Sequence, residues 1–349
     1  MRVLVTGGAG FIGGHIARDL LKRGHEVFVI DNMRTGDARN LIGIKNFYNL
    51  ELGKDKLDQI FENDFDLIYH FAGQSSVEIS YQDPVYDLET NTKSTLQILK
   101  HLSESNLKCH IIYASSMSVY GGSEPMPKSE NDALEGQNFY AIGKKASESY
   151  LSLYSSNKNI NYTSVRLFNI YGPGQNLKNL SQGMLSIYLA QALESNQIIV
   201  KGSVKRTRDF VHIYDVLNFL RKIENNQKCF NQSINICSGI ETSVQELLDE
   251  MLPKLLAREE RFDRVVLDKK IDSRESYFKS LAKQVDALEN LSKKIANAWN
   301  SIENSSNETQ RKRSTTRFKN YQSELAPIFK KCCLKLKVFE DFLSRMNPE

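Results

Sequence analysis

The sequence is poor in cysteine and has no long apolar run. Its five cysteines are odd in number and scattered over 349 residues, without a CxxC pair or a Cys/His cluster. This usage argues against a disulfide framework or a zinc site, so we expect no metal and a reducing, cytoplasmic compartment. A transmembrane helix needs about 20 consecutive apolar residues, and no such run occurs. The opening MRVLVTGGAG has too short an apolar run for a signal peptide, and it predicts a strand.

Glycine and histidine are absent from the C-terminal part of the chain. All 19 glycines lie at or before Gly239, and all six histidines lie at or before His212. Residues 253–349 carry 21 Lys and Arg against 14 Asp and Glu, whereas residues 1–252 carry 25 against 28. The length also exceeds that of one typical core. The composition therefore predicts two parts of different character, with a boundary near Leu252.

The first part alternates short apolar runs with amphipathic stretches. RVLVT, EVFVIDN, DLIYHFAG (66–73), HIIYASS (110–116) and NYTSVRLFNIYG (161–172) each predict one strand. Helical spacing of Ile12, Ile16 and Leu20 predicts a helix after the first strand. Near-continuous apolar strands that alternate with helices are typical of a parallel sheet covered on both faces. The first part is therefore predicted to be an α/β fold.

A glycine-rich turn, TGGAGFIGGH, joins the first strand to the first helix. Glycines at 7, 8, 10 and 13 allow a tight turn and the close approach of a pyrophosphate to a helix N-terminus. Asp31 ends the second strand, where a carboxylate accepts hydrogen bonds from a ribose and disfavours a 2′-phosphate. The pattern predicts dinucleotide binding, with NAD favoured over NADP. Arg34, three residues after Asp31, is a cation of the kind that accepts the 2′-phosphate of NADP.

The motif YxxxK occurs twice, at Tyr140–Lys144 and at Tyr154–Lys158. A lysine one helical turn after a tyrosine lies on the same face, and its charge favours the phenolate, so such a tyrosine can act as a base. Fourteen residues of helix place Tyr154 about 21 Å beyond Tyr140. The serine strand at 110–116 is expected to point at the start of this helix. We therefore predict that Tyr140 and Lys144 carry the chemistry and that Tyr154 is a packing residue.

Residues 1–250 resemble the extended short-chain dehydrogenases/reductases, and within them the NAD-dependent nucleotide-sugar epimerases. The motifs that carry the resemblance are TGGAGFIGGH, DN (31–32), HFAG (70–73), SYQDPVYDLETN, YASSMSVYG, Tyr140-x-x-x-Lys144, RLFNIYGPGQN and TRDFVHIYDV. The resemblance implies a Rossmann-type doubly wound sheet over residues 1–172 and a small substrate domain over 173–252. It also implies NAD as the cofactor and a UDP-sugar as the substrate.

The resemblance implies a role for particular positions. Ser116, Tyr140 and Lys144 match the catalytic group, while Ser118, Asn169 and Arg208 match substrate-binding positions. The following match the surroundings of the cofactor: Gly7, Gly10, Phe11, Ile12, Gly13, Asp31, Asn32, Ala72, Gly73 and Asn91, together with Tyr140 and Lys144.

Two departures from the family pattern bear on the reaction and on the cofactor. Family dehydratases carry Asp-Glu after the catalytic hydroxyl residue, and this chain has Met117 and Ser118 there. Elimination would lack its acid/base pair, which favours epimerisation of the UDP-hexose 4-epimerase type. The usual aspartate near the adenine is also missing after the third strand, where Glu51 could replace it.

The likeness stops near residue 252. Residues 253–349 lack the family's Arg-Pro-Gly-Asp segment, so the substrate domain is expected to be incomplete. Apolar residues at 3-4 spacing from Phe278 to Ile302 and from Phe318 to Phe342 predict two amphipathic helices, as a hairpin or a coiled coil. This basic helical extension could form a packing or oligomerisation element, bind a partner, or lie on an anionic membrane surface.

Two functions follow from these observations. The first is a nucleotide-sugar epimerase, expected to be a cytoplasmic homodimer with no nucleic-acid partner and no transmembrane segment. The second is a catalytically weak or inactive NAD-fold protein that acts in assembly or interaction through residues 253–349.

Overall fold

A computed structural model describes residues 1–104, 108–122, 126–157, 160–179, 183–195, 197–256 and 264–267. The strands are β1 Arg2–Thr6, β2 Glu26–Asp31, β3 Asn46–Asn49, β4 Leu67–His70, β5 Cys109–Ser116, β6 Ile160–Leu167, β7 Asn169–Tyr171, β8 Gln197–Val200, β9 Thr207–His212, β10 Gln232–Ile236, β11 Glu241–Ser243 and β12 Arg264–Leu267. The α-helices are α1 Phe11–Lys22, α2 Asp58–Phe61, α3 Val77–Gln82, α4 Pro84–Leu88, α5 Ser94–Glu104, α6 Phe139–Asn157, α7 Met184–Ser195, α8 Ile213–Ile223 and α9 Val244–Leu256.

The main sheet has the strand order β10-β6-β5-β4-β1-β2-β3, and its strands pair in parallel. Strand β1 is buried from Val3 onward and β5 along its whole length, because both faces of the sheet are covered. One apolar core contains residues of α1 and α8, and the other contains residues of α2, α5 and α6. The predicted doubly wound Rossmann-type α/β fold is confirmed.

Local sequence explains where several helices begin and which face they bury. In α8, Ile213, Val216 and Leu220 are buried at three- and four-residue spacing, as in an amphipathic helix. Helix α4 begins with Pro84 directly after Asp83, whose carboxylate accepts a hydrogen bond from the Tyr86 backbone N–H. Proline suits the first helical position because its missing N–H would have had no helical partner.

One predicted strand is wrong in its extent. The stretch 161–172 was expected to form a single strand, but it forms β6 in the main sheet and β7 in a separate sheet of order β11-β9-β7. The chain leaves the main sheet at Phe168, whose backbone N–H donates to the carbonyl of Ile236. Strand β7 then pairs in parallel with β9, so Asn169 lies opposite Phe210.

The chain divides into two compact units. The first contains residues 1–190 and 208–242, and the described part of the second contains 191–195, 197–207, 243–256 and 264–267. In the second unit, β12 pairs in parallel with β8. Helix α9 runs through the composition change at Leu252. The amphipathic helices predicted between Phe278 and Phe342 lie outside the described residues, and the proposed domain limits stay a prediction.

Candidate functional site

A deep cleft lies at the carboxyl ends of β1, β2, β4 and β5, where the loops of a parallel sheet meet. In such sheets, ligands bind at this edge. Most of the predicted site residues line the cleft: Gly7, Gly10, Phe11, Ile12, Gly13, Asp31, Asn32, Ala72, Gly73, Ser116, Ser118, Tyr140, Lys144 and Asn169.

The glycine-rich turn leaves no room for side chains. Gly7 has φ +73°, and a Cβ there would lie 2.8 Å from the backbone nitrogen of Ala72. A Cβ on Gly13 would lie 2.2 Å from the carbonyl oxygen of Gly7. Gly10 precedes α1 and provides no side-chain cap, so the first N–H groups of this 12-residue helix stay available to a ligand. A phosphate group fits this cradle because backbone N–H groups and the helix dipole favour an anion.

Asp31 stands at the end of β2 with its carboxylate fixed by the backbone. Its Oδ2 accepts a hydrogen bond from the Ala9 N–H at 2.9 Å, and its Oδ1 accepts one from the Met33 N–H at 2.8 Å. Burial raises the pKa of Asp31 above its usual value, and these backbone donors oppose the rise. Each oxygen keeps acceptor capacity, so the carboxylate can still receive ribose hydroxyls.

Tyr140 and Lys144 lie in the first turns of α6, and Ser116 lies at the end of β5. Burial raises the pKa of Tyr140 to about 12, although a hydrogen bond with Ser116 lowers it in part. Burial also lowers the pKa of Lys144 to about 8, which Asp87 and then Glu148 oppose through their charges. The Lys144 Nζ atom lies 5.7 Å from the centroid of the Tyr140 ring.

Burial opposes the expected activation of Tyr140 when no cofactor is bound. The motif predicts that the charge of Lys144, together with that of oxidised nicotinamide, favours the phenolate, whereas burial raises the pKa of Tyr140. Both side chains are almost inaccessible to solvent, and burial penalises an anion and a cation alike. The expected role of Tyr140 as a base therefore depends on positive charge from a bound cofactor as well as from Lys144.

Gly73 and Asn91 form a small polar niche beside Lys144. A Cβ on Gly73 would lie 2.5 Å from Asn91 Oδ1 and 3.5 Å from Lys144 Nζ. Asn91 is buried below the cleft wall, and its amide donates to the Gln74 carbonyl oxygen at 3.0 Å and to Asp87 Oδ1 at 3.1 Å. Its Oδ1 has no hydrogen-bond partner among the described residues. This oxygen is fully buried and Asn91 does not line the cleft, so of the two groups only Lys144 is placed to meet a ribose hydroxyl.

The predicted substrate positions do not all line the cleft. Ser118 lies there, and its N–H donates to Ser116 Oγ at 3.2 Å. Asn169 also lies there, with its amide donating to the Asp209 carbonyl oxygen at 2.8 Å. Arg208 belongs to β9 and is not among the residues that line the cleft. Ser118 and Asn169 thus line the same cleft as Ser116, Tyr140 and Lys144, and Arg208 does not.

The second tyrosine of the repeated motif lies elsewhere. Tyr154 is in the second half of α6 and packs against the core that contains Leu99 and Leu151. It does not line the cleft, and Lys158 lies outside the described residues.

The histidine His70 is a packing residue. Its ring nitrogens form hydrogen bonds with the hydroxyls of Thr6 and Thr95, and burial lowers its pKa to about 3.

Asp87 is a buried charge that sequence reasoning missed. Its Oδ1 accepts hydrogen bonds from Gln74 Nε2 at 2.7 Å and from Asn91 Nδ2. The charge of Asp87 raises the pKa of Lys144, and Lys144 lowers the raised pKa of Asp87 in return. In the sequence, the four-residue spacing of Asp87 and Asn91 indicates only that these two side chains can share a helix face. That Asp87 lies close to Lys144 is seen only in the fold.

We expect Asp87→Asn to make Lys144 lose its proton at lower pH. The pKa of Lys144 is already lowered to about 8, and removal of the neighbouring negative charge lowers it further. NAD affinity should therefore begin to fall at a lower pH in the variant than in the unaltered protein. The affinity is measured by calorimetric titration at several pH values between 6 and 9. Glu89→Gln is the control, because Glu89 pairs at the surface with Lys93 and Lys54. Identical pH profiles for the Asp87 variant and the unaltered protein would refute this role.

Within the described residues, no cluster of three or more His, Cys, Asp or Glu could hold a metal ion. No helix among them is long and apolar enough to cross a membrane. Cys109, Cys229 and Cys237 are free thiols.

Comparison with known proteins agrees with this geometry. The chain is 34% identical over 248 residues to a putative UDP-glucose 4-epimerase of Methanocaldococcus jannaschii. The aligned stretch covers 71% of this chain and 80% of that protein. It is 32% identical over 259 residues to a UDP-N-acetyl-alpha-D-glucosaminuronate decarboxylase of Bacillus cytotoxicus, with 72% and 79% covered. The solved Thermus thermophilus UDP-glucose 4-epimerase in complex with NAD superposes with a TM-score of 0.67 at 30% identity, with 78% and 88% covered.

The family profile described as "NAD dependent epimerase/dehydratase family" matches residues 3–237. Its span contains the glycine-rich turn, Asp31, Ser116, Tyr140 and Lys144. The phosphate cradle, the fixed carboxylate of Asp31 and the ammonium group of Lys144 in the cleft wall fit NAD, which is the cofactor of this family. The chain belongs to the NAD-dependent epimerase/dehydratase family of enzymes.

Proposed function

We propose that this protein epimerises a nucleotide sugar, of the UDP-hexose type at carbon 4, through a transient keto-sugar. The observation that supports this most strongly is the convergence of Ser116, Tyr140 and Lys144 beside a cleft that fits NAD. The assignment of these three residues rests on their position and on the family to which the chain belongs.

The three side chains have separate tasks in the proposed reaction. When bound, NAD+ supplies the hydride acceptor and a positive charge beside the phenol. Tyr140 then takes the proton of the sugar hydroxyl, while Ser116 donates a hydrogen bond to the same oxygen. Lys144 holds the ribose hydroxyls and keeps its charge close to the Tyr140 ring. After the keto-sugar turns in the cleft, the hydride that bound NAD+ would have accepted from carbon 4 returns to the opposite face of the sugar, and Tyr140 returns the proton. The reaction therefore has no net oxidation or reduction.

The residues after Ser116 favour epimerisation over loss of water. Met117 and Ser118 occupy the two positions where elimination would require an acid and a base. The Met117 sulfur accepts a hydrogen bond from Asn169 Nδ2 at 3.8 Å, so a thioether occupies this part of the wall. A thioether cannot exchange a proton with the sugar. The keto-sugar is therefore expected to be reduced again in place.

The test is a product screen with the full chain. UDP-glucose, UDP-galactose, their N-acetyl forms and UDP-glucuronate are each incubated with purified protein, and the products are separated by chromatography. We expect interconversion of the carbon-4 epimers without accumulation of NADH. Release of carbon dioxide or of water would replace this proposal with decarboxylation or dehydration. No turnover despite bound NAD would favour the second candidate, an NAD-fold protein that acts in assembly.

Several further assignments belong to this proposal. Asn169 is proposed to contact the sugar nucleotide, and Ser118 the sugar. A contact of Arg208 with the sugar nucleotide stays a prediction from the sequence, because Arg208 does not line the cleft. A homodimer, a cytoplasmic location and a partner or membrane surface for residues 253–349 stay predictions from the sequence.

A further inference from the structure

Arg34 and Tyr86 form a stacked pair on the wall of the cleft. The guanidinium carbon of Arg34 lies 4.1 Å from the centroid of the Tyr86 ring. Arg34 follows β2, whereas Tyr86 belongs to α4, so the pair joins two separate segments. Both residues line the cleft. Neither is explained by the catalytic group, which lies at the end of β5 and in the first turns of α6.

The pair lies at the end of the cleft that fits adenosine. In the main sheet, β2 and β3 lie on one side of β1, and β4, β5 and β6 lie on the other side. Asp31 ends β2, and Leu50 and Leu52 follow β3, so these cleft residues belong to the same side as Arg34. The ring of Tyr86 is stacked against Arg34, which places it at this end as well. The catalytic group lies on the other side of β1.

We propose that Arg34, held against Tyr86, closes the adenosine end of the cleft and contacts the adenine of NAD. A guanidinium is planar and stacks on aromatic faces, so Arg34 can pair with Tyr86 through one face and with the base through the other. The apolar side chains of Leu50 and Leu52 supply further contacts for a base at this end.

Arg34 is not assigned to a 2′-phosphate. The Asp31 carboxylate at the same end would repel that group, and Glu51 adds a second negative charge. The pair is therefore a determinant of affinity for the adenosine half of NAD, whichever sugar reaction the enzyme performs.

Binding titrations on the cofactor-free full chain test this inference. The ligands are NAD, NADP, ADP-ribose and nicotinamide mononucleotide. Arg34→Leu should weaken NAD and ADP-ribose about five- to tenfold and leave nicotinamide mononucleotide unchanged. Tyr86→Leu should have the same effect, and the double variant should be no worse than either single variant, because the two side chains act as one unit.

Two controls keep the result interpretable. Arg39→Leu removes a cation from the same loop, but Arg39 pairs with Asp37 away from the cleft, so NAD affinity should change less than about twofold. Tyr86→Phe keeps the ring and should keep the affinity, which tests the stack even if Tyr86→Leu fails to fold. Unchanged ADP-ribose affinity in Arg34→Leu would overturn the inference. A larger loss for NADP than for NAD would also overturn it, since that pattern would identify a phosphate site.

Discussion

Tyr140→Phe is expected to reduce turnover of the nucleotide sugar about 10³-fold while NAD stays bound. The substitution removes only the hydroxyl that we propose exchanges a proton with the sugar. The ring remains in place, packed in the wall near Lys144. Turnover is measured as kcat on the sugar identified by the product screen, and NAD content is measured after denaturation of the protein.

Tyr154→Phe is the matched control, because it makes the same change on the same helix. Tyr154 packs against the core beneath α6 and does not line the cleft, so turnover should stay within about twofold of the unaltered protein. Equal losses in the two variants would show that the effect comes from α6 as a whole. Retention of more than about a tenth of the activity by Tyr140→Phe would exclude Tyr140 as the base.

The raised pKa of Tyr140 gives this prediction a second readout. Without cofactor, burial raises the pKa of Tyr140 to about 12. A positive charge placed beside the ring favours the anion, and phenolate absorbance should therefore appear at lower pH when NAD+ is present. Subtraction of the Tyr140→Phe spectrum isolates this tyrosine from the other fourteen in the chain. An identical titration with and without NAD+ would contradict the proposed activation.

The sequence predicts those parts of the site that depend on neighbouring residues. The glycine turn follows β1 directly, so its spacing locates it. Tyr140 and Lys144 share one helix face, but the same spacing recurs at Tyr154 and Lys158, and the serine strand is needed to choose between the two pairs. Periodicity did not show that the stretch 161–172 changes sheets at Phe168, because β6 and β7 are both apolar.

Long-range contacts could not be inferred in the same way. The Arg34–Tyr86 stack joins segments far apart in the chain, and no local pattern pairs them. The effect of Asp87 on Lys144 likewise requires the packing of α4 against α6. The pKa of Tyr140 depends on burial, which is a property of the whole fold.

Glu148→Ala is expected to destabilise the protein by about 3–5 kcal/mol. Glu148 and Arg166 form a buried ion pair with side chains 7% and 5% exposed, at 2.8 Å between Oε2 and the guanidinium. The carboxylate also accepts hydrogen bonds from the hydroxyls of Ser115 and Ser233. One side chain thus ties α6 to β5, β6 and β10, and its loss leaves a cation and two hydroxyls without this acceptor. The free energy of unfolding is measured by urea denaturation.

Glu26→Ala is the surface control for this measurement. Glu26 pairs with Arg2 at 3.1 Å, but both side chains are about half exposed, so the loss should be at most about 1 kcal/mol. Similar losses of unfolding free energy in Glu26→Ala and Glu148→Ala would show that burial does not increase the contribution of the Glu148–Arg166 pair to stability.

The double variant Glu148→Leu with Arg166→Met separates the two contributions to the cost. If the single variant loses stability because Arg166 is left charged and unpaired in the interior, replacement of both partners by apolar side chains should recover most of the loss. If the loss comes from the hydrogen bonds to Ser115 and Ser233, the double variant should stay as unstable as Glu148→Ala.

Ser115 precedes Ser116, and Glu148 lies one turn after Lys144, so this ion pair also fixes the strand and helix that hold the proposed catalytic group. A recovered but inactive double variant would show that the pair sets the position of these groups as well as the stability of the fold.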